Sequence, residues 1–312
     1  MTAILNIIAP VFALILVGYG VARTPKWNPD ATRYFNNFVF YVALPTLLFG
    51  KLATGQAFDG VEPLIAAAYF GGSLISMVLI IAFSRAAFRL PGDELALLGM
   101  GAGFSNTVLL GLPLIVLTFG DNAVGPITTL IAFNTLLLLP ITILLIEVSH
   151  GRSSQKTLIK IAVAPISALI RNPILIAIVS GSLWSFTGWG LAVPVDRFIG
   201  LMSGAAGPCA LFVLGASLAE YKLAGRPGET ATLVGFKLLI HPLIVWILCT
   251  QVFILDAWTT GIATMMAAIP VGATVFTVAQ QYRTFVGPVT SSILISTGIS
   301  AATLAAVIGF LT

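Results

Sequence analysis

Apolar stretches about as long as a lipid bilayer is thick recur from one end of the chain to the other. A spanning helix needs about 20 predominantly apolar residues. Runs of that order occupy residues 3–22, 33–54, 62–84, 94–120, 123–147, 170–188, 196–220, 229–250, 257–281 and 285–311. Polar and charged positions gather in short intervals between them, too short for a soluble domain. The pattern predicts an all-α integral membrane protein of about ten transmembrane helices. No positive charge precedes the first run, whereas Arg23 and Lys26 follow it. That is the reverse of signal-peptide flanks, so the run reads as a retained first span.

One interval is longer and hydrophilic. From Ser149 to about Ile170 it carries Arg152, Ser153, Ser154, Gln155, Lys156 and Lys160, and it divides the spans five and five. Residues 1–148 then form a first five-helix repeat, 149–169 a linker, and 170–312 a second repeat. Leu158 to Ile170 reads as an amphipathic helix on the membrane surface. Pro10 matches Pro173, Pro45 matches Pro208, and Pro113 matches Pro270, each in corresponding spans. Gly125-Pro126-Ile127-Thr128 and Gly287-Pro288-Val289-Thr290 likewise open spans five and ten. Because five is odd, the second copy must cross the membrane the opposite way. Inverted repeats of this kind mark alternating-access transporters.

Lys and Arg positions orient the chain. With the N-terminus outside, the cytoplasmic connections hold Arg23, Lys26, Arg33, Arg85, Arg89, Arg152, Lys156, Lys160, Arg171, Lys222, Arg226 and Arg283. The external side keeps only Lys51 and Arg197, and Lys237 alone falls inside a span. Both termini are therefore expected outside the cell, or in the periplasm, with the linker in the cytoplasm.

Spans four and nine carry interruptions. Span four reads Gly103-Phe104-Ser105-Asn106-Thr107-Val108-Leu109-Leu110-Gly111-Leu112-Pro113-Leu114, and span nine reads Met266-Ala267-Ala268-Ile269-Pro270-Val271-Gly272-Ala273-Thr274. Proline removes a backbone donor and clashes with the preceding turn. Each span is expected to break near Pro113 or Pro270 into two half-helices that cross at one point. Irregular backbone at that depth survives only when buried in protein or lining a cavity, and half-helix N-termini favour an anion. Asn106, Thr107, Gly111, Pro113, Pro270, Gly272 and Thr274 are the candidate substrate-binding residues, with Asn134 in span five a weaker one; helix–helix contact is the alternative role for the polar members. Thr128, Thr129, Gln280 and Gln281 are weaker still. Lys237 and His241, one turn apart, are candidates for charge and coupling. A Lys at a helix centre costs about 2.5–3.5 kcal/mol and needs a partner; the Leu238 carbonyl, freed by Pro242, is one candidate acceptor.

Composition narrows the classes further. Of 312 residues, 58% are apolar and 8% charged, and the mean hydropathy is +1.05. Soluble chains carry about 25% charged residues, so lipid is the expected surroundings. The net charge of +4 is scattered through loops without a basic run, which fits an anionic inner leaflet rather than nucleic acid. Cys209 and Cys249 lie in apolar runs without metal or redox spacing. Every Asp and Glu lies in a loop or at a span end, so no intramembrane carboxylate relay is expected. Without a metal pair, a nucleophile arrangement or a phosphate loop, neither an enzyme nor a cofactor is expected.

The motif Asn106-Thr107-x-x-x-Gly111-Leu112-Pro113-Leu114 resembles the fourth-span signature of the auxin efflux carrier family, which includes plant PIN-FORMED carriers and bacterial malonate/malate permease-like members. Ala267-Ala268-x-Pro270-x-Gly272 with Phe276, Ala279 and Tyr282 is similar to the family's second crossover segment. Lys237 with Pro242, and Asn172-Pro173, also fit. The resemblance implies ten helices, with a scaffold of helices 1, 2, 6 and 7 and a transport unit of helices 3–5 and 8–10. It further implies homodimers and elevator-like movement of carboxylates, with Asn106, Pro113 and Pro270 bordering the substrate. The short linker suits a bacterial member, in an inner membrane. The expected function is secondary transport of a small organic anion. The alternatives are a sodium-coupled symporter of the bile-acid type and a membrane receptor that no longer transports.

Overall fold

The computed structural model of the protein describes residues 2–55, 64–151 and 171–311. The expected amphipathic helix of Leu158 to Ile170 and most of the linker lie outside the described residues. The elements in chain order are α1 Thr2–Ala22, α2 Pro29–Phe38, α3 Leu44–Ala53, α4 Leu64–Phe88, α5 Gly92–Gly103, α6 Leu112–Phe119, α7 Val124–Phe133 and α8 Leu139–Ser149. They continue with α9 Pro173–Phe186, α10 Val193–Glu220, α11 Pro227–Gly235, α12 His241–Ile247, α13 Ala257–Ala268, α14 Ala273–Tyr282 and α15 Val286–Leu311. Among the described residues there is no strand, and one isolated antiparallel bridge joins Ser105 to Val271.

Wider, π-type turns join several of these helices, and the sequence says why. Val39–Ala43, Thr107–Gly111, Asn134–Leu138 and Phe236–Ile240 each precede a helix whose second residue is proline: Pro45, Pro113, Pro140 and Pro242. A proline ring collides with the carbonyl four residues back. In each case that carbonyl lies inside the π turn, where the extra residue moves it aside. The helix therefore continues through the proline rather than ending at it.

Among the described residues seven helical stretches are long and apolar enough to cross a membrane: Ile4–Ala22, Asp30–Ala53, Leu64–Phe88, Asp121–Ser149, Val193–Glu220, Pro227–Val252 and Val286–Phe310, of which the second, fourth and sixth owe their length to this continuity. Three expected spans are not continuous helices of that kind. Residues 94–120 and 257–281 are each interrupted by extended backbone. Within residues 170–188 the described residues hold the 14-residue α9, about 21 Å long at 1.5 Å per residue.

Contacts gather the chain into two units. The first comprises Met1–Glu62, Val108–Thr129 and Ala168–Glu220. In it α1 packs along α10, and small residues let the two backbones come into contact. A Cβ on Gly18 would land on the Phe212 carbonyl, and one on Gly215 on the Ile15 carbonyl. The second unit comprises Pro63–Thr107, Leu130–Ser167 and Tyr221–Thr312. There α5 and α13 are buried along almost every residue, and α4, α12 and α15 pack around them. Arg226 at the start of α11 forms a two-pronged bond with Glu94 at 2.7 and 3.1 Å, which ties two of these helices at their ends.

Candidate functional site

Within the second unit the two interruptions meet. Helix α5 ends at Gly103, and Phe104 turns extended at φ −94°, ψ 103°. Helix α13 ends at Ala268, and Ile269 does the same at φ −61°, ψ 139°. The Asn106 N–H donates to the Pro270 carbonyl, and the Gly272 N–H to the Phe104 carbonyl, both at 2.9 Å. Backbone groups withdrawn from their own helices are thus paired across the break, as burial requires. Gly272 permits the approach: a Cβ there would stand 2.8 Å from the Phe104 ring and 2.9 Å from the Ser105 carbonyl.

The first break is not where Pro113 led us to expect it. It lies at Phe104–Asn106, and Pro113 sits in the first turn of α6, directly after the π turn Thr107–Gly111 that makes room for its ring. Asn106 is consequently part of the break rather than one to two turns before it. The break in span nine does contain its proline, Pro270.

Lys237 reaches this crossing from the π turn before α12. It is fully buried. Its Nζ donates to Ser105 Oγ at 2.6 Å and to the Ala267 carbonyl at 2.8 Å, and lies 2.9 Å from His241 Nδ1. The backbone acceptor is therefore Ala267, in the last turn of α13, and not the Leu238 carbonyl. Ser105 also accepts from the Tyr69 hydroxyl at 3.2 Å. His241 Nε2 lies 3.0 Å from Ser73 Oγ, which donates to the Tyr69 carbonyl at 2.9 Å. Among the described residues no carboxylate touches the Lys237 nitrogen. Instead it sits beside the ends of α5 and α13, and a helix C-terminus carries roughly half a negative charge.

Two amides in this unit stand out as unsatisfied. Asn106 Nδ2, and both the nitrogen and the oxygen of the Asn134 amide, are buried without a hydrogen-bond partner. Asn134 lies beside the Tyr69 hydroxyl without meeting hydrogen-bond geometry. An orphaned buried polar group costs about 1–3 kcal/mol; the hydroxyls of Ser76, Ser84 and Thr264 in the same unit are unpaired as well, and of these residues Asn106 alone lies in the break itself. Gly272 caps α14 without a side chain, leaving its first turn open to an acceptor. Thr274 is half-buried in that turn, and Thr107 is buried just past the first break.

The structure brings Asn106, Thr107, Pro270, Gly272, Thr274, Asn134, Lys237 and His241 into the second unit, and places Gly111 and Pro113 in the first. There Pro113 lines a cavity of about 660 Å³ with Pro10 and Pro208, mostly apolar, with Lys51 paired to Asp121 on its wall. Thr128 and Thr129 bond to the Gly125 carbonyl of their own helix. Gln280 and Gln281 are exposed. Ser105, Tyr69 and Ser73 went unsuspected at the sequence level, since a buried hydroxyl has no distinctive spacing. The position of Ser105 one residue before Asn106 was the available signal.

Residues 3–308 match the family described as "Membrane transport protein". Among curated proteins, one of Rhizobium meliloti (strain 1021) named for malonate transport is 27% identical over 308 residues, 97% of this chain and 94% of that one. "Auxin efflux carrier component 8" of Arabidopsis thaliana is 23% identical over 326 residues, covering 88% of each chain. An "Uncharacterized transporter" of Methanothermobacter thermautotrophicus (strain Delta H) is 26% identical over 236 residues, 75% of this chain and 74% of that one.

Proposed function

We propose, from the premise that this chain belongs to the membrane transport protein family, the auxin efflux carriers, that the transporter carries a small organic anion. The observation that carries the reading is the unpaired nitrogen of Asn106 with the unpaired amide of Asn134, in the unit that buries Lys237 with no carboxylate partner among the described residues. A carboxylate would accept from Asn106 Nδ2 and from the open first turn of α14, whose N-terminus favours negative charge. With the anion bound, a positive charge on Lys237 stands behind the crossing, beside the two helix C-termini. The two substrates named among the relatives, malonate and auxin, are both carboxylates.

In this reading the ten apolar runs form two inverted five-helix repeats. Helices 3–5 and 8–10 move the anion past a scaffold of helices 1, 2, 6 and 7 in an elevator-like cycle, in a homodimer. The membrane is the bacterial inner membrane, with both termini in the periplasm. The place that a sodium ion would take among crossing carbonyls is filled by the Lys237 ammonium, so transport needs no sodium.

Purified protein screened against mono- and dicarboxylates is expected to gain thermal stability with malonate or a related acid, as any ligand of the folded state requires. A flat response across the series, with matched neutral amides as controls, would remove the anion reading. Orientation is tested separately. A reporter active only in the cytoplasm should stay silent after Thr312, and a bright signal there would overturn the topology.

A further inference from the structure

We propose that Lys237 and His241 form a proton-binding site that takes up a proton together with the anion, making the protein a proton–anion symporter. The proposal rests on the organic-anion reading and names its coupling ion.

The argument begins with the partners of Lys237. A charge meant to be permanent is ordinarily matched by a carboxylate. Here the nitrogen meets a hydroxyl, a carbonyl and the ring of a second base, at 2.6, 2.8 and 2.9 Å. That set is satisfied in two protonation states. With Lys237 an ammonium, its three protons go to Ser105 Oγ, the Ala267 carbonyl and His241 Nδ1. His241 then carries its own proton on Nε2 and donates it to Ser73 Oγ, whose hydroxyl proton goes to the Tyr69 carbonyl. With Lys237 a neutral amine, two protons keep the Ser105 and Ala267 bonds, and the lone pair accepts from a proton on Nδ1. Nε2 then accepts from Ser73. No buried group is orphaned in either arrangement, because the imidazole exchanges tautomers and the serine hydroxyl rotates.

The passage between the states balances as a relay. The Ser73 hydroxyl gives its proton to Nε2, Nδ1 gives its own to Lys237 Nζ, and Ser73 recovers a proton from a water molecule, whose hydroxide passes to the aqueous phase. The net change is one proton bound and a neutral amine become an ammonium. The ends of α5 and α13 offset part of the cost of burying that charge. An anion at the crossing supplies the rest, so proton and anion each raise the affinity for the other by the same factor.

Few other ionisable groups bear on this pair. Tyr69 on α4 faces it, with its ring 5.6 Å from that of His241. Asp93 and Glu94 open α5 and are engaged by His150 and Arg226. Arg85 lies in the last turn of α4, Glu229 in the first turn of α11 beside Arg226, and Asp256 caps α13. Cys249 is buried beyond α12, and α15 carries no charge.

The test is calorimetric binding of malonate to the full-length protein in mildly alkaline buffers of different ionisation enthalpy. Wild type is expected to take up roughly one proton per anion bound. Lys237→Arg, charged throughout, should bind without proton uptake. In parallel, histidine ¹⁵N spectra report only two residues, His150 and His241, and His150→Gln assigns them. Malonate should move His241 from the Nδ1–H to the Nε2–H form. Binding with no proton uptake, or a His241 tautomer unchanged by malonate, would overturn the proposal and leave the anion reading standing. Uptake that persists in Lys237→Arg would place the proton on the anion, and also overturn it. If Lys237→Arg fails to bind, the wild-type tautomer decides. A wild type that binds no carboxylate removes the anion reading, and this proposal with it.

Discussion

Lys237→Gln is expected to lower transport in proteoliposomes by about a hundredfold or more, while Lys222→Gln stays close to wild type. Lys222 is exposed in a connection, and charges so placed contribute little. Lys237 holds Ser105, Ala267 and His241 together at the crossing of the two breaks. A hydrogen bond to a charged group contributes about 1.5–3 kcal/mol. Losing the ammonium removes its charge and leaves acceptors underused, so ~3 kcal/mol is a modest expectation, and each 1.4 kcal/mol is about tenfold. Glutamine keeps most of the volume, so the variant should still insert, fold and elute as wild type. Initial rates of carboxylate uptake at matched protein levels make the measurement. Equal rates for the two variants, or a strict sodium requirement in wild type, would reject the role given to Lys237.

Asn106→Ala should weaken anion binding about ten- to a hundredfold, the consequence of losing one hydrogen bond of about 1.5–3 kcal/mol to a charged group. Stability without ligand should hold, because the nitrogen removed has no partner to lose and the backbone N–H of residue 106 still reaches the Pro270 carbonyl. Asn134→Ala provides a second case, since its whole amide is unpaired. If both amides hold the same anion, the double variant should lose less than the sum of the single losses, as interacting sites do. Equilibrium binding and melting of the same preparations separate the two effects. An affinity unchanged in Asn106→Ala would reduce that residue to helix contact.

Much of this was readable before any fold was drawn. Partition into lipid depends on the apolar content of a local run, so the ten runs and the membrane class follow from the sequence alone. The same local chemistry made Lys237 conspicuous and placed His241 one turn beyond it. The Asn106 motif and Pro270-x-Gly272 were likewise legible as words, and they led to the family in which residues 3–308 now stand.

Tertiary structure decided where the first break falls. Proline chemistry pointed to Pro113, but a π turn at Thr107–Gly111 absorbs the clash. The chain instead opens at Phe104–Asn106, where Asn106 exchanges a bond in its own helix for the distant Pro270 carbonyl. The partners of Lys237 were decided in the same way. Ser105, Ala267 and Ser73 lie on segments far apart in the chain, and nothing local marks which hydroxyl or carbonyl will meet an ammonium. Hydropathy is a property of neighbours along the sequence, whereas hydrogen bonds at a crossing of broken helices are a property of neighbours in space. For this protein the first sets the solvent, and the second sets the site.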